Sequence, residues 1–352
     1  MRLCNELLRS AKMKKTGVLL INLGTPDNPK ARSVYRYLTQ FLNDPRVIDL
    51  SGMLRWILTN LIIVPFRYKK SAEAYHQIWT DAGSPLLINS LNLGNALANQ
   101  LGKHFQVVLG MRYGNPNIES SLAKFKDCKR IIVIPLFPQY SSAATGSAIQ
   151  NFLEHISKQW NIPEIYIKND FYNDPGFIAA YLDRIKEAVA EKNVGHFVFS
   201  YHGLPERHIM KSECQASCGH VDACPKIDVT NAYCYRAQCY ETSRLLAAGL
   251  QLNPDQYTVT FQSRLGRTPW IKPYTDLVLP DLHKKGIKNI AVVCPSFVAD
   301  CLETLEEINI RARADWTKLG GGDFVFVHCI NDHPRWVAAL VDIVKNHSDM
   351  TA

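Results

Sequence analysis

Three strand-and-loop stretches of this chain occur twice, in the same order. Val18–Pro26 (VLLINLGTP) is echoed by Phe197–Pro205 (FVFSYHGLP), and Val107–Pro116 (VVLGMRYGNP) by Val259–Pro269 (VTFQSRLGRTP). Arg130–Phe137 (RIIVIPLF) is echoed by Lys288–Phe297 (KNIAVVCPSF). Each is an apolar run broken by Gly or Pro, which reads as a strand buried on both faces of a parallel sheet. A strand at Glu164–Lys168 and another at Phe324–Cys329 extend the two sets. Helical patterns separate the strands at Ser33–Leu42, Leu54–Val64, Ala72–Trp79, Pro85–Leu101, Ile149–Gln159 and Gly176–Glu191. They continue at Glu241–Leu250, Asp300–Lys318 and Arg335–Asn346. Such alternation predicts an α/β fold of two similar Rossmann-like lobes, each a doubly wound parallel sheet. The lobes are expected at 16–174 and 175–331, with a Cys-rich insert at about 206–240 in the second. A C-terminal helix in 332–352 is expected to pack back on the first lobe.

The bulk properties narrow the partners. A net charge of +8 favours an anionic partner, either substrate carboxylates or a membrane surface. Nucleic acid is excluded on pattern, because Lys and Arg are scattered and no aromatic-basic RNA-binding signature occurs. The N-terminus, MRLCNELLRSAKMKK, is too polar for a signal peptide, so a cytoplasmic protein is expected. The most apolar window, Met53–Phe66, is too short to span a bilayer and contains Arg55 and Asn60. No GxGxxG follows the first strand, which removes dinucleotide binding.

Ligands of open α/β sheets bind at the carboxyl ends of strands, and a cleft between two such lobes is a preferred site. The echo shows where the halves differ there: His202 takes the place of Leu23, and Glu303 that of Ala143. An imidazole can accept a proton or bind a metal near neutral pH. Glu303 and Glu307, four apart on one helix, share a face and form a short acidic track. Asp300 is placed to cap that helix, and Glu306 suits its dipole. With Cys301 adjacent, the set offers N, O and S donors, incompletely caged, which suits a transient divalent first-row metal.

NLGTP, MRYGNP, IPLFPQYSSAATGS, SYHGLP, FQSRLGRTPW and ADCLETLEEI together resemble the protoporphyrin ferrochelatases of the bacterial type, from Thr16 to beyond Ile330. The resemblance implies a chelatase-like fold and insertion of ferrous iron, as substrate, into protoporphyrin IX to give protohaem. It places the family's functional His and Glu, which handle the metal, on His202 and Glu303. It puts Arg112, Tyr113, Ser142, Thr145, Gln262 and Trp270 in the porphyrin cleft, with Asp300 and Glu307 as auxiliary acids. Animal members carry a histidine where Cys301 stands. Metallation must remove two pyrrole protons while a hydrated cation loses its waters, and His202 serves either as base or as metal ligand. Trp270, Tyr113 and Tyr140 offer flat apolar surface, and Arg112, Arg264 and Lys272 offer charge for propionates. Met53–Phe66, flanked by Arg67, Lys69 and Lys70, reads either as an apolar lip touching lipid or as a buried helix. The alternatives are a chelatase for coproporphyrin or another metal, and a non-catalytic haem or iron carrier.

The insert carries Cys214, Cys218, Cys224, Cys234 and Cys239. Such density without a secretion signal points to metal or cluster ligation, and the absence of a CxxC pair weakens a zinc ribbon. Some ferrochelatases hold a [2Fe–2S] cluster in an internal Cys-rich segment, and this insert is similar to that version. The resemblance favours Cys214, Cys218, Cys224 and Cys234 as ligands, since cluster-free relatives can keep a Cys at the place of Cys239. Zinc or reduced thiols are the alternatives.

Overall fold

Val18 to Ile21 are each fully buried, and they divide between two cores by strand parity. Val18 and Leu20 join Leu93, Leu97, Ile132 and Ile134, whereas Leu19 and Ile21 join Val108, Ile118 and Phe152. A strand with apolar side chains on both faces must be covered by helices on both, as a central parallel strand is. The computed structural model describes residues 15–212, 224–266 and 268–348. Among them, the strands are β1 (Thr16–Thr25), β2 (Phe105–Gly114), β3 (Arg130–Pro135) and β4 (Glu164–Ile167), then β5 (His196–His202), β6 (Tyr257–Gln262), β7 (Ile290–Val293) and β8 (Phe324–Val327).

They form two four-stranded sheets, ordered β2-β1-β3-β4 and β6-β5-β7-β8. All the pairings are parallel. The second order is the first moved on by one sheet, so the α/β class and the two similar lobes stand as the sequence echo predicts. The largest core spans both lobes, from Leu20 and Ile134 through Phe177 and Tyr181 to Phe199, Tyr201 and Trp336. The helix Pro334–Asn346 packs on Pro85–Leu101 and on Pro175–Val189. Beyond its end, His347 stacks on Tyr166 at 3.6 Å and accepts at its carbonyl from Arg130 Nη1 at 3.2 Å.

The helices depart from expectation in several places. The two short patterns around residues 54–79 merge into Gly52–Ile57, a π-helical stretch Leu58–Ile63 and Val64–Ile78. Pro65 falls directly after the π-helical stretch, where the hydrogen-bond pattern changes, and the chain stays helical through it. Much of this segment faces outward: Met53 is 77% exposed and Phe66 84%, with Leu54, Trp56, Leu61 and Ile62 also exposed. Helices at Ile118–Leu122 and Thr275–Lys284 were not expected, the latter because Pro280 lies inside it. The helix after the insert starts at Tyr235, not Glu241, with Cys234 as its N-cap residue. The helix carrying the acidic track is π-helical over Glu303–Ala312. Among the described residues, no helix is long and apolar enough to cross a membrane.

Candidate functional site

His202 is the last residue of β5, half-buried where the strand gives way to Gly203-Leu204-Pro205. Its main chain is held on two sides: the N–H donates to Ser296 Oγ at 3.1 Å, and Tyr235 donates to its carbonyl at 2.8 Å. The ring Nδ1 lies 2.6 Å from the Gly203 carbonyl oxygen. A carbonyl only accepts, so Nδ1 carries the proton and a neutral ring presents its lone pair at Nε2. That nitrogen is the one available to take a proton or a metal.

Gly203 is required by close packing. A Cβ there would stand 2.8 Å from the Gln262 carbonyl and 3.3 Å from the ring of Trp270. Trp270 is half-buried, its indole N–H donating to the Leu265 carbonyl at 2.8 Å. Gln262, the register partner of His202 on β6, is buried. Its Oε1 accepts from Ser200 Oγ at 2.8 Å, and its Nε2 donates to the Glu303 carbonyl at 2.9 Å. One side chain therefore joins the strand of His202 to the start of the π-helix.

Glu303 heads that π-helix and is half-buried. Opposite it stand Tyr37 and Tyr75 of the first lobe, both buried, whose hydroxyl pKa values are pushed up by burial and further by the negative charge of Glu303. Glu307 is fixed by the loop after β6, accepting from the Ser263 N–H at 2.9 Å and from Ser263 Oγ at 2.5 Å. Glu306 pairs with Arg311 at 3.1 Å. Rare π-helical turns concentrate at functional sites, and here one delivers two carboxylates beside a strand end.

Asp300 is buried and its carboxylate is fully engaged. It accepts from His328 Nδ1 at 2.8 Å, Asn331 Nδ2 at 3.0 Å, the Cys329 N–H at 3.2 Å and Thr304 Oγ at 3.2 Å. Burial raises its pKa, but these bonds outweigh burial and hold the carboxyl below the usual range. It anchors the turn before Glu303 to β8. Cys301 is buried, and burial together with Glu303 pushes its thiol up, so it is held as a neutral thiol.

The first lobe supplies the facing wall. Arg112 and Tyr113, near the end of β2, converge on Asp44, which sequence reasoning missed. Arg112 Nη2 lies 2.5 Å from Asp44 Oδ2, Tyr113 donates to the same oxygen at 2.8 Å, and Arg112 Nε donates to Ser147 Oγ at 2.6 Å. Tyr113 is fully buried, packed edge-on to Phe41 with the Arg112 guanidinium over its ring. Ser142 accepts from Arg46 Nη1 at 2.8 Å. Thr145 is buried with no partner for its hydroxyl among the described residues. Tyr140 meets Tyr233 edge-on, and its N–H donates to Gln238 Oε1 at 2.6 Å, tying this loop to the second lobe. Arg264 pairs with Asp276 at 2.6 Å and lies over Tyr274, as Lys272 does at longer range. A concavity of about 630 Å³ lies beside this wall, lined by Arg46, Tyr140, Gly146 and Gln150 among others, and not by His202.

The chain matches the ferrochelatase family model over residues 15–348. It is 55% identical to a ferrochelatase of Legionella pneumophila over 331 residues, covering 94% of this chain and 99% of that one. The chain belongs to the ferrochelatase family. A Coxiella burnetii ferrochelatase is 50% identical over 343 residues, 97% of this chain and 96% of that one. Of solved structures, SirB from Bacillus subtilis with Fe3+ superposes with a TM-score of 0.53 at 13% identity, covering 95% of this chain and 96% of that one. That likeness concerns the fold alone.

Membership fixes the class of chemistry, metal insertion into a porphyrin, with iron as substrate. Among the described residues, no group of three or more His, Cys, Asp or Glu side chains is arranged to hold a metal ion. Cys214 and Cys218 lie outside the described residues. Cys224, Cys234 and Cys239 are buried, and Cys239 is within electrostatic range of the other two. Burial pushes the Cys239 thiol well up. The structure thus groups Cys239, set aside on sequence grounds, with two of the favoured four.

Proposed function

We propose that this ferrochelatase-family chain inserts ferrous iron into protoporphyrin IX, with His202 and Glu303 at the reacting centre. The observation that carries this reading is the fixed tautomer of His202 beside a π-helix start that Gln262 ties to the same strand end. His202 Nε2, with Nδ1–H held by Gly203, accepts a pyrrole proton or takes the metal as it sheds water. Glu303 draws the cation and neutralises charge, and Glu307 extends the carboxylates toward Ser263. Trp270 offers ring surface beside Gly203 for the macrocycle. Arg112, Tyr113, Ser142, Thr145 and Gln262 complete the porphyrin site in this reading.

The exposed apolar stretch around Met53–Phe66, with Arg67, Lys69 and Lys70 beyond it, serves as a lip that touches an anionic membrane surface from the cytoplasm. Six large apolar side chains turned to solvent on one segment support peripheral binding over burial. Residues 16–174 and 175–331 act as the two lobes, with 332–352 closing the chain. The repeated sheet order supports that division.

Four of the five insert cysteines hold a [2Fe–2S] cluster, with Cys224 and Cys234 among them. Their burial beside Cys239 fits thiolate ligation, which would relieve the cost of a buried charge. A bound cluster would supply one-electron redox capacity. Arg244 holds this end of the insert, donating to the carbonyls of Cys224 at 3.0 Å and Pro225 at 3.2 Å while paired with Glu241. Cys239 competes with Cys214 and Cys218 for the remaining places.

The reading is tested by anaerobic insertion assays with protoporphyrin IX and coproporphyrin side by side. Faster turnover of protoporphyrin is expected. Preference for coproporphyrin, or tight haem binding without turnover, contradicts it.

A further inference from the structure

Asp49 lies in the connection between the helix Ala31–Leu42 and the helix Gly52–Ile57, two residues before the N-cap of the apolar lip. Its side chain is only 13% exposed. Two cationic side chains and a histidine of the second lobe close on that one carboxylate. Arg207 contacts Oδ1 through Nε at 2.8 Å and Nη2 at 2.7 Å, and Lys211 Nζ donates to Oδ2 at 2.7 Å. His208 Nε2 stands 3.3 Å from Oδ1, on a side chain only 9% exposed. Burial works against the charge, yet the hydrogen bonds from Arg207 and Lys211 and the nearby His208 hold the carboxyl well below the usual range.

These three side chains sit on the segment that leaves His202. Arg207 and His208 belong to the short helix Glu206–Met210, and Lys211 follows it. The same segment is held on its other side by the loop that carries Trp270: Glu206 N–H donates to the Pro269 carbonyl at 3.0 Å, and Ile271 N–H to that of Leu204 at 2.9 Å. On the lip side, Arg55 Nη1 donates to the Leu50 carbonyl at 2.7 Å, fastening the lip's first turn to the residue next to Asp49. A continuous chain of contacts therefore runs from the lip through Asp49 and Arg207 to the loop bearing His202 and Trp270. Arg207 sets two guanidinium nitrogens on one oxygen of a carboxylate that is 13% exposed, and such a partly buried, multiply bonded pair fixes geometry better than a single exposed ion pair.

We propose that Asp49 is a positioning residue for porphyrin binding, gripping Arg207 and Lys211 so that the root of the lip is held at a set distance from the loop of His202 and Trp270. The inference rests on the reading of that loop and lip as the mouth that admits the macrocycle. Asp49 touches neither the metal nor the transferred protons in this scheme, so its effect falls on porphyrin affinity and spares the chemical step.

The test is steady-state kinetics of iron insertion by wild type, Asp49→Asn, Asp49→Glu, Arg207→Gln and the double variant Asp49→Asn/Arg207→Gln. In Asp49→Asn the porphyrin KM should rise at least fivefold, with kcat and the iron KM within twofold of wild type. Asp49→Glu should recover most of the porphyrin KM. Arg207→Gln should reproduce the defect from the other lobe, and the double variant should be no worse than the poorer single, as two ends of one contact behave. A porphyrin KM within twofold of wild type in both Asp49→Asn and Arg207→Gln would overturn the proposal. So would losses that multiply in the double variant, or a kcat that falls with thermal stability while KM is unchanged. Wild-type protein that inserts no metal would instead remove the functional reading on which the proposal stands.

Discussion

The side-chain amide of Gln262 donates to the main-chain carbonyl of Glu303 at 2.9 Å. Gln262 is also the register partner of His202 and accepts from Ser200 Oγ at 2.8 Å. The imidazole and the carboxylate of the proposed centre come from elements 101 positions apart in the chain, and this buried amide links their backbones. Two groups that must act on one substrate need such fixed separation, because misplacement by an ångström can cost two orders of magnitude in rate.

Replacing Gln262 by Leu keeps the volume near constant while removing both hydrogen bonds. The Ser200 hydroxyl keeps Thr275 Oγ1 at 2.8 Å, but the Glu303 carbonyl loses this donor, and an unsatisfied buried group costs about 1–3 kcal/mol. A fall in kcat of tenfold or more is expected, with a lowered Tm. Turnover unchanged within twofold would show that the link does not set the geometry.

Glu303→Gln should leave less than a tenth of wild-type turnover, whereas Glu306→Gln should stay within threefold. Glu303 faces the buried Tyr37 and Tyr75, while Glu306 pairs with Arg311, whose side chain is 56% exposed. Equal losses at the two positions would indicate a diffuse field instead of a positioned carboxylate.

The His328–Asp300 pair makes stability depend on pH with a definite sign. The hydrogen bond to Asp300 raises the His328 pKa against a burial effect that lowers it. A raised folded-state pKa contributes stability that is fully present below the unfolded value near 6.5 and lost as pH rises through the folded value. Asp300, held below its ordinary pKa, contributes above its unfolded value near 3.9 and loses that contribution in acid. The Tm advantage of wild type over His328→Gln should therefore be larger at pH 6 than at pH 9. Because the His328 side chain is 59% exposed, solvent screening keeps the difference small. An advantage that grows with pH would contradict the pairing.

Protein purified without oxygen should be coloured by sulfide-to-iron charge transfer, and Cys224→Ser and Cys234→Ser should each bleach it and lower its Tm. Colour retained in either variant, or colourless wild type holding stoichiometric zinc, would contradict the cluster. Loss of colour in Cys239→Ser would assign that residue a ligand place.

The strands were legible because β1 and β5 are buried on both faces, so runs such as VLLIN and FVFSY carry their environment in composition. His202 and Glu303 stand out in the repeat as the places where one half carries N and O and the other apolar carbon, and Gln262 joins the two elements that bear them. The π-helix at Glu303–Ala312 was not legible, since its apolar spacing also satisfies an α-helix; it packs against Val64–Ile78 of the first lobe. Asp44 and Asp49 gave no local signal at all. Each is a loop carboxylate whose partners, Arg112 and Arg207, stand 68 and 158 positions away, so only the assembled lobes distinguish them from solvated acids. The helix start at Tyr235 was hidden by polar residues such as Arg236 and Gln238, which are buried through contacts no periodicity reveals.

The most direct test is anaerobic turnover of protoporphyrin IX and ferrous iron by His202→Ala beside wild type, with circular dichroism to verify the fold. Wild type should form protohaem catalytically, and the variant, native by its spectrum, should retain less than a tenth of that rate. A folded His202→Ala that keeps a tenth or more, a barrier difference below about 1.4 kcal/mol, would remove the imidazole from the reaction.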